Sequence, residues 1–318
     1  MPPNLPDLAA ATAVYADGTK HPVYLSISCK GALPPELTAK SADGYPQQAT
    51  ILIEHMSGFT SLVVRSIQDA LVEQGRRVCI YDRPGYLLSP QGFAPIAPVA
   101  MEKALGAALS SIGERGPYYL VGHHSGSENA HLFLRENERA VVGMAFIYPT
   151  DASLLGLMSG GANITEKKSM VISMTGDSMI AENTYSSITL NVQRMLSAIG
   201  IWSGTASTET NTNVEADNQR ITEWALANTH IVQAQYFEHL QRQPIVGALE
   251  DIDITVVDTQ KKLPVLLLGV DANRTTYNRY LDYVDERYKV EIPDVGESQP
   301  LMLSHVARQI AWHIARIS

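Results

Sequence analysis

The feature that most constrains this chain is the stretch 117–127, an apolar run that ends at a glycine and then turns. Helical spacing follows over about 125–138, so the stretch predicts a strand, a sharp turn and a helix. In such a turn the residues two before and two after the tip must be small, because larger side chains would collide. Centring the turn on His124 places Gly122 and Gly126 at these positions. The pattern therefore predicts a histidine at the tip.

Predicted strands and helices alternate on both sides of this turn. Strands are predicted at 50–54, 77–82, 141–148, 264–269 and 288–295, and helices at 62–74, 99–113 and 301–317. The segments 12–16 and 23–29 flank an Asp-Gly turn and predict an opening hairpin. Such alternation is typical of a mostly parallel sheet with helices on both faces, whose functional residues lie at the carboxyl ends of the strands.

The pattern changes between residues 151 and 252. Two helical segments, near 187–199 and 221–241, lie on either side of a polar stretch, and no strand alternation is visible. A length of roughly 100 residues is enough for a small domain. We therefore predict a helical cap over 151–252, inserted into an α/β core domain formed by 1–150 and 253–318.

Charge and composition argue against several classes of partner. The formal net charge is −9 and 45% of the residues are apolar, and Lys and Arg do not cluster, which disfavours nucleic acid and anionic membranes. No glycine loop that cradles phosphate is present, so no cofactor is expected. The expected partner is a small, apolar molecule, and the cap offers either a lid or a contact for a homodimer.

Both cysteines, Cys29 and Cys79, lie in apolar, strand-like runs. This placement predicts buried free thiols rather than a disulfide or a metal site. Free thiols suit a reducing compartment. The sequence shows neither a basic and apolar leader nor an apolar run of membrane-spanning length. A cytoplasmic location is therefore expected.

Several motifs together resemble the α/β-hydrolase fold superfamily. They are the segment 51–62, the segment 78–89 with its Tyr-Asp-Arg-Pro-Gly-Tyr, the segment 116–122, and the final strand, loop and helix. The chain is particularly similar to the group with Tyr-Asp-Arg-x-Gly-Tyr and Gly-His-Ser-x-Gly signatures. The resemblance implies an α/β fold with a mostly parallel eight-stranded sheet, helices on both faces and an inserted helical cap. In that fold a pair such as Asp82 and Arg83 more often fixes the loop after the fourth strand than takes part in catalysis.

The chain departs from this family at the residues that carry hydrolysis. Where the family has Gly-His-Ser-x-Gly, residues 122–126 are Gly-His-His-Ser-Gly, so His124 takes the nucleophile position. Glu297 stands where the family has its catalytic histidine. For the acid of the triad, the resemblance implies Asp271, with Asp151 as the alternative.

The loop after the third strand differs as well. Met56 stands where the family usually has glycine, and its side chain is expected to narrow the pocket. Ser57 is either a simple loop residue or the source of a second oxyanion-type N–H. The backbone N–H of Ser125 is expected to point into the pocket, where it would polarise a carbonyl or enolate oxygen.

These replacements remove acyl-enzyme chemistry, which needs a hydroxyl nucleophile and a base that takes its proton. His124 and Glu297 offer a base and a carboxylate instead. If they meet, Glu297 holds the imidazole in one tautomer and leaves the other nitrogen for general acid–base catalysis. This interpretation predicts a non-hydrolytic cyclase or lyase of specialised-metabolite biosynthesis, acting on a small apolar substrate that contains a carbonyl group.

Two other interpretations remain open. The altered positions also fit a catalytically inactive protein that keeps an apolar pocket for ligand binding. An atypical serine hydrolase could use Ser125 as nucleophile, although this register places His123 at a crowded position of the turn. A metal site is not expected, because neighbouring histidines on an extended strand project to opposite faces.

Overall fold

The computed structural model describes residues 7–15, 18–32, 49–57, 59–92, 96–149, 229–240, 265–268, 289–290 and 304–316. These residues form one sheet of eight strands together with five helices. The strands are β1 (Asp7–Val14), β2 (Lys20–Lys30), β3 (Thr50–Glu54), β4 (Val78–Asp82), β5 (Tyr118–His123), β6 (Val141–Ile147), β7 (Val265–Leu268) and β8 (Lys289–Val290). The helices are α1 (Arg65–Glu73), α2 (Pro98–Ser111), α3 (Gly126–Glu136), α4 (Thr229–Leu240) and α5 (Ser304–Ala315).

The strand order in the sheet is β1-β2-β4-β3-β5-β6-β7-β8. The pairs β1–β2 and β2–β4 are antiparallel, and the other five pairs are parallel. The predicted opening hairpin and mostly parallel eight-stranded sheet are therefore confirmed. Every residue of β3 and β5 is buried, which is why both strands are nearly continuous apolar runs. Their carboxyl ends are adjacent, because Glu54 pairs with Gly122.

Two hydrophobic cores lie between the sheet and its helices, one on each face of the sheet. On one face α2 and α3 pack on the strands through residues that include Leu105 and Phe133. On the other face α1 and α5 pack through residues that include Leu71 and Ile310. Burying a side chain of this size stabilises the fold by about 1.5–3 kcal/mol. The helices therefore lie on both faces of the sheet, as predicted.

Helix α4 comes from the segment predicted to form the cap. It falls within the helix predicted at 221–241, whereas the helix predicted at 187–199 lies outside the described residues. Ile231 and Ala234 of α4 pack against Tyr86, which follows β4. Helix α4 thus covers the carboxyl end of β4, while the boundaries of the cap remain a prediction.

The prediction of free thiols is wrong. Cys29 and Cys79 form a disulfide between β2 and β4. The two strands are antiparallel neighbours, and their register places the two cysteines directly opposite one another, with 4.1 Å between their Cα atoms. The pairing of β2 with β4 brings together two cysteines that are 50 residues apart in sequence. Neither apolar run by itself indicates this pairing. The inference from free thiols to a reducing compartment therefore loses its basis.

Among the described residues, no helix combines the length and the apolar character needed to cross a membrane. The cytoplasmic location remains a prediction.

The disulfide predicts a measurable loss of stability on its removal. The bond closes a long loop and restricts the unfolded chain, so the double variant Cys29→Ala/Cys79→Ala should lose about 2–4 kcal/mol of unfolding free energy in urea titrations. Reductant should lower the stability of the wild type towards that of the double variant and leave the variant unchanged. Equal stability of the oxidised wild type and the double variant would contradict this assignment.

Candidate functional site

The turn between β5 and α3 has a strained tip at His124, whose φ is +51°. Ser125 already has helical backbone angles, with φ −62° and ψ −15°. The tip is held from two sides. The His124 N–H donates to the carbonyl of Ile147 (2.9 Å), and its own carbonyl accepts hydrogen bonds from the N–H (3.0 Å) and the Oγ (2.6 Å) of Ser127. A non-glycine residue rarely adopts a positive φ, so this turn is over-determined by its surroundings.

The two glycines that flank the tip have no room for a side chain. A Cβ on Gly122 would lie 2.6 Å from the Cα of Ser127, and one on Gly126 would lie 2.1 Å from the carbonyl oxygen of Glu54. Both neighbours are backbone atoms that cannot move aside without shifting β3 or α3. The contacts explain why the small residues sit symmetrically around His124 rather than around Ser125.

The two adjacent histidines of the turn have different environments. His124 is half-buried, whereas His123 is fully buried at the end of β5. Burial, with a smaller contribution from His124, lowers the pKa of His123 to about 3. Neither ring nitrogen of His123 has a hydrogen-bond partner among the described residues. His123 is therefore a neutral interior residue, and His124 is the more exposed histidine of this pair.

The Ser125 hydroxyl is engaged with the loop after β3. Ser125 is 5% exposed, and its Oγ accepts a hydrogen bond from the backbone N–H of Ser57 (2.8 Å). The backbone N–H of Ser57, which was a possible second oxyanion-type donor, is thus already bonded to another residue of the protein. This bond ties the start of α3 to the loop after β3.

Met56 contributes its carbonyl oxygen rather than its side chain to the site. Arg83 Nη2 donates to the Met56 carbonyl (2.8 Å), and Nη1 donates to the carbonyl of His55 (3.0 Å). The neighbouring Asp82 accepts a hydrogen bond from the N–H of Ser61 (2.9 Å). Asp82 and Arg83 therefore fix the loop after β3, and Met56 is not among the described residues that line the adjacent cavity.

Helix α4 is attached to this loop by a buried ion pair. The Arg83 Nε donates to the Glu238 carboxylate, and the Tyr86 hydroxyl donates to the other oxygen of Glu238 (2.8 Å). A Cβ on Gly85 would lie 2.7 Å from the Cβ of Ala234, so a glycine is needed where α4 approaches. Burial opposes the charge of Arg83, but Glu238, Tyr81, Tyr86 and Glu54 together outweigh that effect, and the pKa of Arg83 is raised.

Two further carboxyl groups lie beside this ion pair. Glu54 is fully buried, accepts a hydrogen bond from the Tyr81 hydroxyl (2.8 Å) and lies 3.9 Å from Arg83 Nη1. Burial raises the pKa of Glu54 to about 7, against the opposing effects of Arg83 and Tyr81. Glu102 of α2 is 1% exposed, and burial together with the proximity of Glu54 raises its pKa well above the ordinary value.

A cavity of about 90 Å³ lies among these elements. Its lining combines apolar side chains with a few polar groups, which is the usual make-up of a small-molecule site. The polar lining comes mainly from Ser57, Arg83, Glu102, Asn129 and Glu238, and Phe237 contributes an aromatic wall. His124 is not among the described residues that line it.

Three of the predicted site residues lie outside the described residues. They are Glu297, Asp271 and its alternative Asp151. The pairing of His124 with Glu297 and the identity of the acid therefore remain predictions.

Sequence reasoning missed the carboxyl groups of Glu54, Glu102 and Glu238. Two of them carry a usable signal: Glu54 ends a strand that is otherwise apolar, and Glu102 falls on the apolar stripe of α2 with Leu105 and Leu109. A charged residue at a core position of a helix or strand is uncommon unless it is paired. Glu238 offers no comparable signal, because its partner lies 155 residues away.

Comparison of the structure with solved structures supports the fold more strongly than comparison of the sequence with known sequences does. No family model matches the chain. A vacuolar membrane protein of Saccharomyces cerevisiae, described as uncharacterized, is 28% identical over 144 residues, which make up 44% of this chain and 22% of that protein. The chain therefore matches about a fifth of that relative's length.

Solved structures match over nearly the whole chain. A thermophilic esterase from Thermogutta terrifontis is 15% identical, with 98% of this chain and 99% of the esterase covered and a TM-score of 0.62. This chain has the α/β-hydrolase fold. The Cif epoxide hydrolase from Acinetobacter nosocomialis is also 15% identical, with 98% and 88% coverage and a TM-score of 0.60. On this α/β-hydrolase fold, the turn after β5 carries His124.

The crowded turn predicts a strong effect of one added methyl group. Gly126→Ala should destabilise the protein by about 3 kcal/mol or more, because the new Cβ meets the backbone of Glu54 and overpacks the junction of β3 and α3. Gly106→Ala is the matched control, since its Cβ would meet only the movable side chain of Asn137. Urea unfolding of both variants tests this, and equal effects would show that the turn tolerates a Cβ.

The raised pKa of Glu54 predicts that stability falls as pH rises. The folded state binds the Glu54 proton more tightly than the unfolded state, because the pKa rises from 4.5 to about 7 on folding. The resulting stabilisation is complete below about pH 4.5 and is lost towards pH 7, a change of roughly 3 kcal/mol. Asp82, whose pKa burial raises to about 6, acts in the same direction.

Glu54→Gln should remove the Glu54 share of this pH dependence, so the stability difference between variant and wild type should change across that pH range. The exposed Glu73→Gln serves as control. Parallel pH profiles of wild type and Glu54→Gln would show that Glu54 does not titrate over that range.

Proposed function

We propose that this protein is a non-hydrolytic enzyme on an α/β-hydrolase fold, with His124 as its general acid–base. The reaction is abstraction of a proton next to a carbonyl, followed by elimination or by intramolecular carbon–carbon bond formation in a small, largely apolar substrate. The observation that carries the proposal is the position of His124 at the strained tip of the turn, with φ +51° and glycines at the two crowded positions. Strained backbone of this kind clusters at active sites, which supports a role for His124.

The chemistry follows from what the turn presents. A neutral imidazole takes the proton from the carbon next to the carbonyl, and the resulting imidazolium returns it to the leaving group or to another carbon. The backbone N–H of Ser125, at the start of α3, is proposed to stabilise the enolate oxygen. The positive end of the α3 dipole favours the same negative charge. Glu297 is proposed to orient the imidazole.

A catalytically inactive ligand-binding protein is the second candidate. The cavity next to Arg83 and Glu238 favours it, because His124 is not among the described residues that line that cavity. A serine hydrolase has less support. The Ser125 Oγ is buried and accepts the Ser57 N–H, and its backbone is helical rather than at the strained tip.

The proposal is tested with a simple ketone and a simple ester. Cyclohexanone in D₂O exchanges the hydrogens next to its carbonyl, and NMR follows that exchange. We expect the wild type to accelerate exchange, and His124→Ala to lower the acceleration by about 100-fold or more, the usual range for a general base. His124→Gln should behave like His124→Ala, because its amide does not titrate near neutral pH.

Two controls separate the candidates. Ser125→Ala and the exposed His305→Ala should both retain exchange. Hydrolysis of p-nitrophenyl acetate that disappears in Ser125→Ala, with exchange unaffected by His124→Ala, would establish the serine hydrolase instead. Binding of cyclohexanone without any accelerated exchange would favour the ligand-binding protein.

A further inference from the structure

Glu102 is a buried carboxyl group at the wall of a cavity. It lies on α2, is 1% exposed and lines the cavity beneath α4. No described residue forms a hydrogen bond with its Oε2. Buried polar groups are nearly always paired, since an unpaired group costs roughly 1–3 kcal/mol. An orphaned carboxyl at a cavity wall is therefore expected to have a partner that occupies the cavity.

The neighbouring charges are already committed to other groups. Arg83 donates to the carbonyls of His55 and Met56 and to the carboxylate of Glu238. The Glu54 carboxyl accepts the Tyr81 hydroxyl. The donors of Arg83 are thus bonded to other groups. Burial and the neighbouring Glu54 raise the pKa of Glu102 well above its ordinary value, against the opposing effect of Arg83. These conditions favour the neutral carboxylic acid, which has one O–H to donate.

The walls of the cavity select for a neutral ligand. Arg83 and Glu238 compensate each other, so the described polar lining carries no net charge when Glu102 is protonated. Ile96, Met101 and Phe237 add apolar surface to that lining. Among the described lining residues, an anion would meet two carboxyl groups and no uncompensated cation. An uncharged molecule with one acceptor oxygen would satisfy Glu102.

We propose that Glu102 is a specificity-determining residue, whose carboxyl O–H donates a hydrogen bond to the carbonyl oxygen of a small neutral ligand in this cavity. The inference goes beyond the proposed reaction and does not depend on it, because His124 is not among the described residues that line this cavity. It concerns recognition of a ligand rather than turnover.

The test compares two probes of the same shape. Cyclohexanone has an acceptor oxygen, and methylenecyclohexane has none. We expect the wild type to bind cyclohexanone about tenfold more tightly, in dissociation constants measured by ligand-observed NMR, as one hydrogen bond in a dry site contributes. Glu102→Leu should bring this ratio close to one, and Glu102→Gln should retain it because its amide also donates. Met101→Leu, on the same cavity wall, is the matched control and should keep the ratio.

Three results would overturn the inference. They are an unchanged ratio in Glu102→Leu, tighter binding of cyclohexylammonium than of cyclohexanone by the wild type, and no binding of cyclohexanone at millimolar concentration. Misfolding does not confuse the outcome, because Glu102→Leu removes an unpaired carboxyl from the interior and should raise the midpoint of thermal unfolding.

The experiments distinguish a failure of the proposed reaction at His124 from a failure of the recognition role of Glu102. If His124→Ala abolishes exchange while Glu102→Leu keeps the ratio, only the role of Glu102 is wrong. If Glu102→Leu loses the ratio while the wild type does not accelerate exchange, the proposed reaction is wrong and the recognition role stands.

Discussion

The buried guanidinium of Arg83 is the interaction on which the surroundings of the site depend. One side chain holds two carbonyls of the loop after β3 and the carboxylate of Glu238 on α4. Its planar fork reaches several acceptors at once, which the single ammonium of a lysine does not do. A buried pair of this kind contributes less to stability than to geometry, but loss of one partner typically costs about 3–5 kcal/mol. The guanidinium thus sets where α4 sits over the strand ends.

This clamp explains the neighbouring residues of its motif. Asp82 holds the N–H of Ser61, Gly85 permits the close approach of α4, and the hydroxyl of Tyr86 shares the carboxylate of Glu238. Their roles are positional, because each of them fixes one element against another. The turn after β5 is a separate feature, whose backbone is strained at His124. In the proposed function the reaction takes place at that turn, so positioning and reaction would be carried by different strand ends.

Four buried titratable groups near the carboxyl ends of the strands are shifted against carrying a charge. Burial lowers the pKa of His55 and His123 and raises the pKa of Glu54 and Glu102, so all four are biased towards their neutral forms. Arg83 and Glu238 form a buried ion pair beside these groups. Electrostatic effects are stronger in such a poorly solvated region than in water. Glu54, with a pKa of about 7, and Asp82, with a pKa of about 6, still titrate near neutral pH.

The sequence by itself determined the fold class, the opening hairpin, the parallel sheet and the register of the turn, because each follows from local spacing or from the size limit two residues either side of His124. It could not determine the disulfide between Cys29 and Cys79, which depends on which strands become neighbours. It also could not pair Arg83 with Glu238 or place Glu102 beside a cavity. Tertiary structure decided these features, since partnership between distant side chains arises only when the sheet order and the position of α4 are set.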